Sequence, residues 1–347
     1  MHIFLRGSGI GRSFAKKSMA PDRHSIKKDS FTQKKFMMKG LFTSLFLLIG
    51  FLVTAQDSTS ISTEIDINRF VSGTLVVPQE KTPVPLVVFI QGSGPTDRNG
   101  NQPFMKNDAF KKLARDLASQ GIASFRYDKR ISRMSELGIQ EEDVRLEDFV
   151  TDTRSVLDHF ADDERFSKLV VLGHSQGSLV GMLAAPEKAD GFISVSGPAQ
   201  PIDSIIVQQM GDQMPALKPD LQKAFAELRQ TGTISEYNPV LESLLRPSVQ
   251  PFLLSWMQYN PADEIQKLEI PVLILAGTND IQVVPEEAKL LKRALPSAEL
   301  TIIEGMNHVL TQIEGNTLEN SKSYNEPRRP LHPAIVPAIT AFVQDLE

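Results

Sequence analysis

The chain has 347 residues, 41% hydrophobic and 23% charged, enough for one large domain with an insertion or for two smaller domains. It contains no cysteine, which excludes disulfides, thiolate metal sites, cysteine nucleophiles and lipid attachment through an N-terminal cysteine. Residues 1–55 hold ten Lys/Arg and two Asp/Glu, leaving 27 and 40 for the remainder, a net of about −13; a body this acidic repels phosphate backbones and speaks against nucleic-acid binding.

Residues 1–36 are basic, polar and aperiodic, and Met37 or Met38 makes a better start than Met1. From there "MMKGLFTSLFLLIGFLVTAQDS" runs from Lys39 through an apolar stretch over 41–53 to Val53-Thr54-Ala55. These are the n-region, h-region and small-residue site of a secretory signal, with cleavage expected after Ala55. The thirteen residues of that stretch fall short of the roughly 20 that span a bilayer. The expectation is therefore export, periplasmic or secreted, with no stable membrane span after cleavage; tethering by an uncleaved segment is the alternative. Residues 56–347 are left as the folded domain.

Within it, "TLVVP" (74–78) and "PLVVFIQG" (85–92) read as strands, the second without alternation and so buried on both faces. In "NDAFKKLARDLASQG" one helical face carries Phe110, Leu113, Ala114 and Leu117, with Asn107 or Asp108 as cap and Gly121 as stop. "IASFRYD" is a strand, and a helix follows near 146–160, with Phe149, Val156, Leu157 and Phe160 on one side. "KLVVLGH", "QGSLVGMLAAP" and "GFISVSG" then give strand, helix and strand. From 198 to 268 the alternation stops in favour of helical stretches ("IDSIIVQQM", "PDLQKAFAELRQTG", "SVQPFLLSWMQ"). It resumes with the strand "PVLILAG" (271–277), a helix opened by Pro285, the strand "AELTIIEG" (298–305) and a last helix near 334–346. The pattern predicts an α/β fold: a mostly parallel central sheet flanked by helices, with 198–268 as a helical lid insertion.

Function in such a sheet sits at the carboxyl ends of the strands. There lies Gly173-His174-Ser175-Gln176-Gly177, a G-x-S-x-G pattern between strand and helix, as a nucleophile elbow requires. The glycines make room for a strained serine, whose hydroxyl is held up at a helix N-terminus. A serine needs a base, and the base an orienting acid, in the chain order Ser, acid, His. Of six histidines, His2 and His24 go with the leader; His174 is expected to point away from the elbow, and His159 to be a surface or half-buried residue. His308, in "EGMNHVL" directly after a strand, is favoured over His332, which lies between prolines where capping or packing is expected. Asp280, in the Gly-Thr-Asn-Asp turn after "PVLILAG", is the favoured acid; Glu286 and Glu287, in the first turn of the next helix, are the alternatives. Oxyanion donors are expected from the backbone N–H of Gln176 and of Ser93, with Gly94 the alternative to Ser93, in "FIQGSGPTDRNG". In that loop Asp97 and Arg98 are expected to pair with each other, either bracing the loop or as a solvent-exposed pair of little energetic value.

The order of GSG loop, "GHSQG", helical insertion, "GTND" and "MNH" resembles the α/β-hydrolase superfamily over nearly the whole chain from about residue 70. "GSGPTDRNG", "RYDKR" and "LGHSQGS" are similar to its bacterial carboxylesterase branch, close to the serine-aminopeptidase-like (S33-type) hydrolases. That resemblance implies ester hydrolysis through an acyl-enzyme, modest acyl chains, a small-molecule ester substrate and no cofactor or metal. It gives Ser175, Asp280 and His308 the catalytic roles and Gln176 and Ser93 the oxyanion roles. The sequence departs from the branch after "RYDKR", where Ile131-Ser132-Arg133-Met134 replaces a glycine-rich stretch, and at Gln91, where many relatives carry histidine. An aminopeptidase or amidase uses the same triad and would draw on lid acids such as Glu236, Glu242 or Asp263. A non-catalytic binding protein on the same fold would be expected to have lost a triad residue, and none is lost. The lid residues Met210, Met214, Phe252, Leu253, Leu254, Trp256 and Met257 are expected mostly to pack the insertion, with a few roofing an acyl pocket.

Overall fold

The computed structural model describes residues 60–79 and 83–346; the expected leader and its cleavage site lie outside them. The strands are β1 (Ser60–Asp66), β2 (Ser72–Pro78), β3 (Val84–Ile90), β4 (Ala123–Tyr127), β5 (Phe166–His174), β6 (Gly191–Val195), β7 (Val272–Gly277) and β8 (Glu299–Ile303). They form one eight-stranded sheet in the order β1-β2-β4-β3-β5-β6-β7-β8. The strands from β3 to β8 are mutually parallel, while β1 and β2 pair antiparallel at one edge.

Helices cover both faces, as a parallel sheet demands. Helix α1 (Ala109–Ala118) follows β3; α2 (Met134–Leu137) and α3 (Leu146–Phe160) follow β4; α4 (Gln176–Ala184) follows β5. Five helices lie between β6 and β7: α5 (Ile202–Gln213), α6 (Lys218–Thr231), α7 (Glu242–Leu245), α8 (Gln250–Trp256) and α9 (Pro261–Ile265). Helix α10 (Pro285–Ala294) follows β7, and α11 (Thr317–Ser323) and α12 (Ile335–Gln344) close the chain.

The expected apolar face of α1 is fully buried, and Asn107, one residue before the cap position, accepts the Ala109 N–H at 2.9 Å through its side chain. Phe110, Leu113 and Leu117 join Val87, Phe89, Val170 and Leu172 of the sheet and Ile335, Ile339 and Phe342 of α12 in one core cluster. Each such side chain contributes about 1.5–3 kcal/mol by leaving water. The short helices α2, α7 and α9 carry no readable pattern in the sequence, and neither do two longer elements. Strand β1, "SISTEID", is an edge strand with four consecutive exposed residues, so it carries no inward-facing apolar pattern. Helix α11, "TLENSKS", is polar and held by side-chain bonds rather than by an apolar stripe.

Because β3, β4, β5, β7 and β8 all run the same way, their carboxyl ends meet along one edge. That edge receives the loops bearing Ser93, Lys129, Ser175, Asp280 and His308.

Candidate active site

Ser175 stands between β5 and α4 with φ 55° and ψ −121°, a conformation that costs a non-glycine residue and persists only where packing enforces it. The flanking glycines are dictated by close approach. A Cβ on Gly173 would meet the Gly177 carbonyl oxygen at 2.2 Å, and one on Gly177 would meet the Ile90 carbonyl oxygen at 2.3 Å. The Ser175 N–H donates to the Val195 carbonyl at 2.9 Å.

Asp280 and His308 come together from different strands. His308 Nδ1 lies 2.7 Å from Asp280 Oδ2, with both side chains buried. The other carboxylate oxygen accepts the N–H groups of Gln282 (2.8 Å) and Val283 (2.9 Å). Burial opposes ionisation of Asp280, but the His308 ring and these two N–H groups outweigh it and hold the carboxyl below its ordinary range. The Asp280 partnership fixes the imidazole tautomer, leaving Nε2 as the proton acceptor.

The turns carrying acid and base are stitched to each other. Asn279 N–H donates to the Met306 carbonyl at 3.0 Å. Asn307 donates through Nδ2 to Asn320 Oδ1 (2.9 Å) and Ser323 Oγ (2.8 Å), while Asn320 Nδ2 donates to the Asn279 carbonyl (2.7 Å). Polar α11 thus cross-links the Asp280 and His308 loops, a role its composition alone does not announce.

His174 departs from expectation. Instead of pointing away, its ring lies 4.6 Å from that of His308, and its Nε2 sits 2.8 Å from the His308 carbonyl. A carbonyl only accepts, so Nε2 carries the proton. Burial, with the His308 ring adding to it, pulls the His174 pKa down to about 3, so the ring is neutral at ordinary pH. It ties the residue preceding Ser175 to the backbone of His308. The other two histidines among the described residues stand apart. His332 bonds the Glu304 carbonyl and accepts from Ala334 N–H, a capping role, and His159 is exposed on α3. Glu286 pairs with Lys289, whereas Glu287 is buried and accepts from Ala199 N–H and from the backbone and side chain of Gln200. Neither contacts His308; Glu287 anchors the start of the helical insertion.

Ser93, Ser175 and Gln176 share one small cavity of about 30 Å³, room for a water or two. Gln176 opens α4, where backbone N–H groups have no intrahelical acceptor. Gly94 does not line the cavity, which favours Ser93 over it. The loop is braced at the Ser93 carbonyl by Gln102 Nε2 (2.8 Å) and Thr96 Oγ1 (3.2 Å). Arg98 does not pair with Asp97. Its Nε donates to Asp128 at 3.0 Å and its Nη1 to Glu64, while Asp97 accepts the N–H groups of Asn99 and Asn101 (2.8 Å each).

The rest of the cavity lining comes from Ile202, Ile205, Ile206 and Gln209 on one face of α5, Trp256 of α8, and Pro198, Gln282 and Val283. Of the lid residues singled out in the sequence, Trp256 alone reaches this cavity; the α5 isoleucines carry no signal of their own, because an aliphatic helix face reads by default as core. Residues 131–134 lie outside the lining. So do Glu236, Glu242 and Asp263; the last two bond Tyr237 and Asn260.

A sequence model of the family described as serine aminopeptidase, S33, matches residues 106–314, more than half of the chain, from the start of α1 to beyond His308. The chain belongs to that family. Among curated proteins it is 26% identical over 261 residues to the esterase EstD of Thermotoga maritima, covering 71% of this chain and 59% of that protein; it therefore spans well under two thirds of that relative's length. Among solved structures it is similar to Est1E from Butyrivibrio proteoclasticus (TM-score 0.54, 18% identity, 82% of this chain and 98% of that one). It is also similar to a puromycin-hydrolyzing peptidase of Mycobacterium tuberculosis (TM-score 0.50, 19% identity, 83% and 39%). At these identities the likeness shows the shared α/β-hydrolase fold.

Proposed function

We propose that this S33-family protein is a serine carboxylesterase acting on small-molecule esters of small to medium acyl chain. The reading rests on the Asp280–His308 pair at 2.7 Å, bound through His174 to the strained residue Ser175. Ser175 Oγ attacks the ester carbonyl as His308 Nε2 takes its proton, and Asp280 stabilises the imidazolium. The tetrahedral oxyanion is received by the N–H groups of Ser93 and Gln176. Collapse breaks the C–O bond, His308 protonates the leaving alkoxide, and a water molecule activated by the same histidine releases the acid and restores Ser175.

Esters are favoured over peptides by the walls. The cavity is lined by aliphatic, indole, hydroxyl and amide groups with no carboxylate among them, so no counter-charge there would pair with the free ammonium of an aminopeptidase substrate. The named relative EstD is called an esterase, which supports the same choice. The insertion acts as a lid: α5 and Trp256 give way to admit an acyl chain, since the cavity holds only about 30 Å³. The leader over residues 37–55 directs export, and N-terminal sequencing of the mature protein is expected to begin at Gln56.

A fluorophosphonate probe is expected to label Ser175 in the wild type and to leave Ser175→Ala unlabelled. A panel of p-nitrophenyl esters is expected to be hydrolysed well ahead of aminoacyl p-nitroanilides, and Ser175→Ala to lose at least about 10⁴-fold in kcat. Hydrolysis that survives Ser175→Ala, or an anilide preference, would overturn the reading.

A further inference from the structure

"RYDKR" marks the chain in the sequence, yet the chemistry above uses none of it. In the structure its residues face different ways. Asp128 holds Arg98 of the Ser93 loop. Arg130 grips Asp152 with two bonds and Asp148 with a third, fixing the turn to α3. With its neighbours held on either side, Lys129 turns inward and is 4% exposed.

Its ammonium donates to the Gly92 carbonyl at 2.9 Å and to Gln176 Oε1, and lies 4.3 Å from the centre of the Phe149 ring. Among the described residues no carboxylate pairs with it. A lysine is seldom buried without a counter-ion, because removing its charge from water is costly and a chain of carbons of the same length would fill the space without that cost. Burial alone draws its pKa down to about 7, so the ammonium predominates below that pH and gives way to the neutral amine above it.

The two acceptors are specific. Gly92 C=O and Ser93 N–H belong to one planar peptide group and point in opposite directions. A donor fixed on the carbonyl therefore aims the N–H, and polarises it as well. Gly92 also abuts the nucleophile: a Cβ there would lie 3.2 Å from Ser175 Cβ. The second acceptor is the side chain of Gln176, whose backbone supplies the other oxyanion donor. An ammonium has no lone pair, so the Gln176 amide must present its oxygen to Lys129. Its Nε2 is left on the other side of the group, buried, without a protein acceptor, in a residue that lines the cavity.

We infer that Lys129 is the positioning residue of the oxyanion site: through the Gly92 carbonyl and the Gln176 side chain it aims both donor segments at one point and sets a positive charge behind them. This rests on the ester-hydrolase reading of Ser175. Lysine bonds the protein and not the substrate, so its effect falls on the transition state, where the oxyanion exists, and little on ground-state binding.

The test compares full-length wild type, Lys129→Met, Lys129→Gln and Gln176→Met on p-nitrophenyl butyrate, with fluorophosphonate labelling rates and melting curves beside the kinetics. Lys129→Met is expected to lower kcat and the labelling rate by about tenfold to a hundredfold, with KM within about threefold, and to melt no lower than wild type. Lys129→Gln, which keeps a donor without the charge, and Gln176→Met, which keeps the Gly92 contact, are expected to fall between. A wild-type kcat in a folded Lys129→Met, or a lowered melting point with kcat intact, overturns the assignment while leaving Ser175 in its role, because Ser175→Ala remains dead in the same assay. Where Lys129→Met does not fold, wild-type kcat and labelling in the other two variants overturn it instead. A wild type that neither hydrolyses the ester nor takes the phosphonate removes the esterase reading and this assignment together.

Discussion

The two sides of Ser175 are built with opposite charge. On the β7–β8 side a buried carboxylate, Asp280, sits beneath the imidazole, and the surrounding framework is neutral: His174, Asn279, Asn307, Asn320 and Ser323. On the β3–β4 side a buried cation, Lys129, sits beneath the Ser93 and Gln176 amides, and the framework outside it is ionic, with Arg98 on Asp128 and Arg130 on Asp148 and Asp152. Each sign is the opposite of the charge that the proposed reaction would generate above it, imidazolium on one side and oxyanion on the other. A preorganised pair of this kind acts without reorganising at the moment of reaction. The lesson is that both buried charges are costly to the fold, and both are found where a transition state would offset that cost.

The contrast breaks most sharply at Asp280. Asp280→Asn keeps the shape but removes the anion and disturbs the tautomer, and is expected to cost about 10³–10⁴ in kcat at neutral pH; a loss under tenfold in steady-state ester hydrolysis would remove the acid from its role. Next in size is the Lys129→Met effect on the opposite side, smaller because it acts through two amides rather than on a reacting atom.

A third test uses pH. The His174 pKa is about 3 in the folded protein against an ordinary 6.5, so between these values the unfolded chain binds a proton that the folded chain does not. Stability therefore falls as pH drops through that window, by up to about 1.4 kcal/mol per pH unit. His174→Phe is expected to lose severalfold in kcat and to show a smaller drop in melting point between about pH 7.5 and about pH 5 than wild type. An equal drop would show that His174 is not held neutral. Asp280 contributes in the same sense but lower, since its stabilisation is lost only as pH falls through its depressed folded value. The smallest effect is expected from Asp128→Asn, which loosens Arg98 and so the Ser93 loop from outside. A loss of about twofold to fivefold in kcat with unchanged KM is expected by steady-state assay, against none if the pair is only surface charge.

Much of this architecture is legible in the order of residues. The non-alternating strands, the Phe110–Leu117 face of α1 and the helical run between β6 and β7 follow from apolar periodicity. Ser175, Asp280 and His308 are picked out as candidates by turn chemistry and chain order, because each stands just past a strand end. Edge strand β1 and polar α11 are not legible, having no apolar repeat. Nor is the partner of Arg98, because Asp97 adjoins it in sequence while Asp128 adjoins it in space.

The order of residues thus settles what is local: where strands end, where the backbone must bend at Gly173 and Gly177, and which chemically able side chains sit at those bends. Which way those side chains face is settled only by the packed fold. It turned His174 onto His308, brought the α5 isoleucines to the Ser175 cavity, joined Asn307 to α11 and, among the charges of "RYDKR", set Lys129 on the Gly92 carbonyl and the Gln176 side chain. Orientation of that kind depends on partners tens to more than a hundred residues away, and the sum of their packing and hydrogen bonding leaves no periodic trace in the chain.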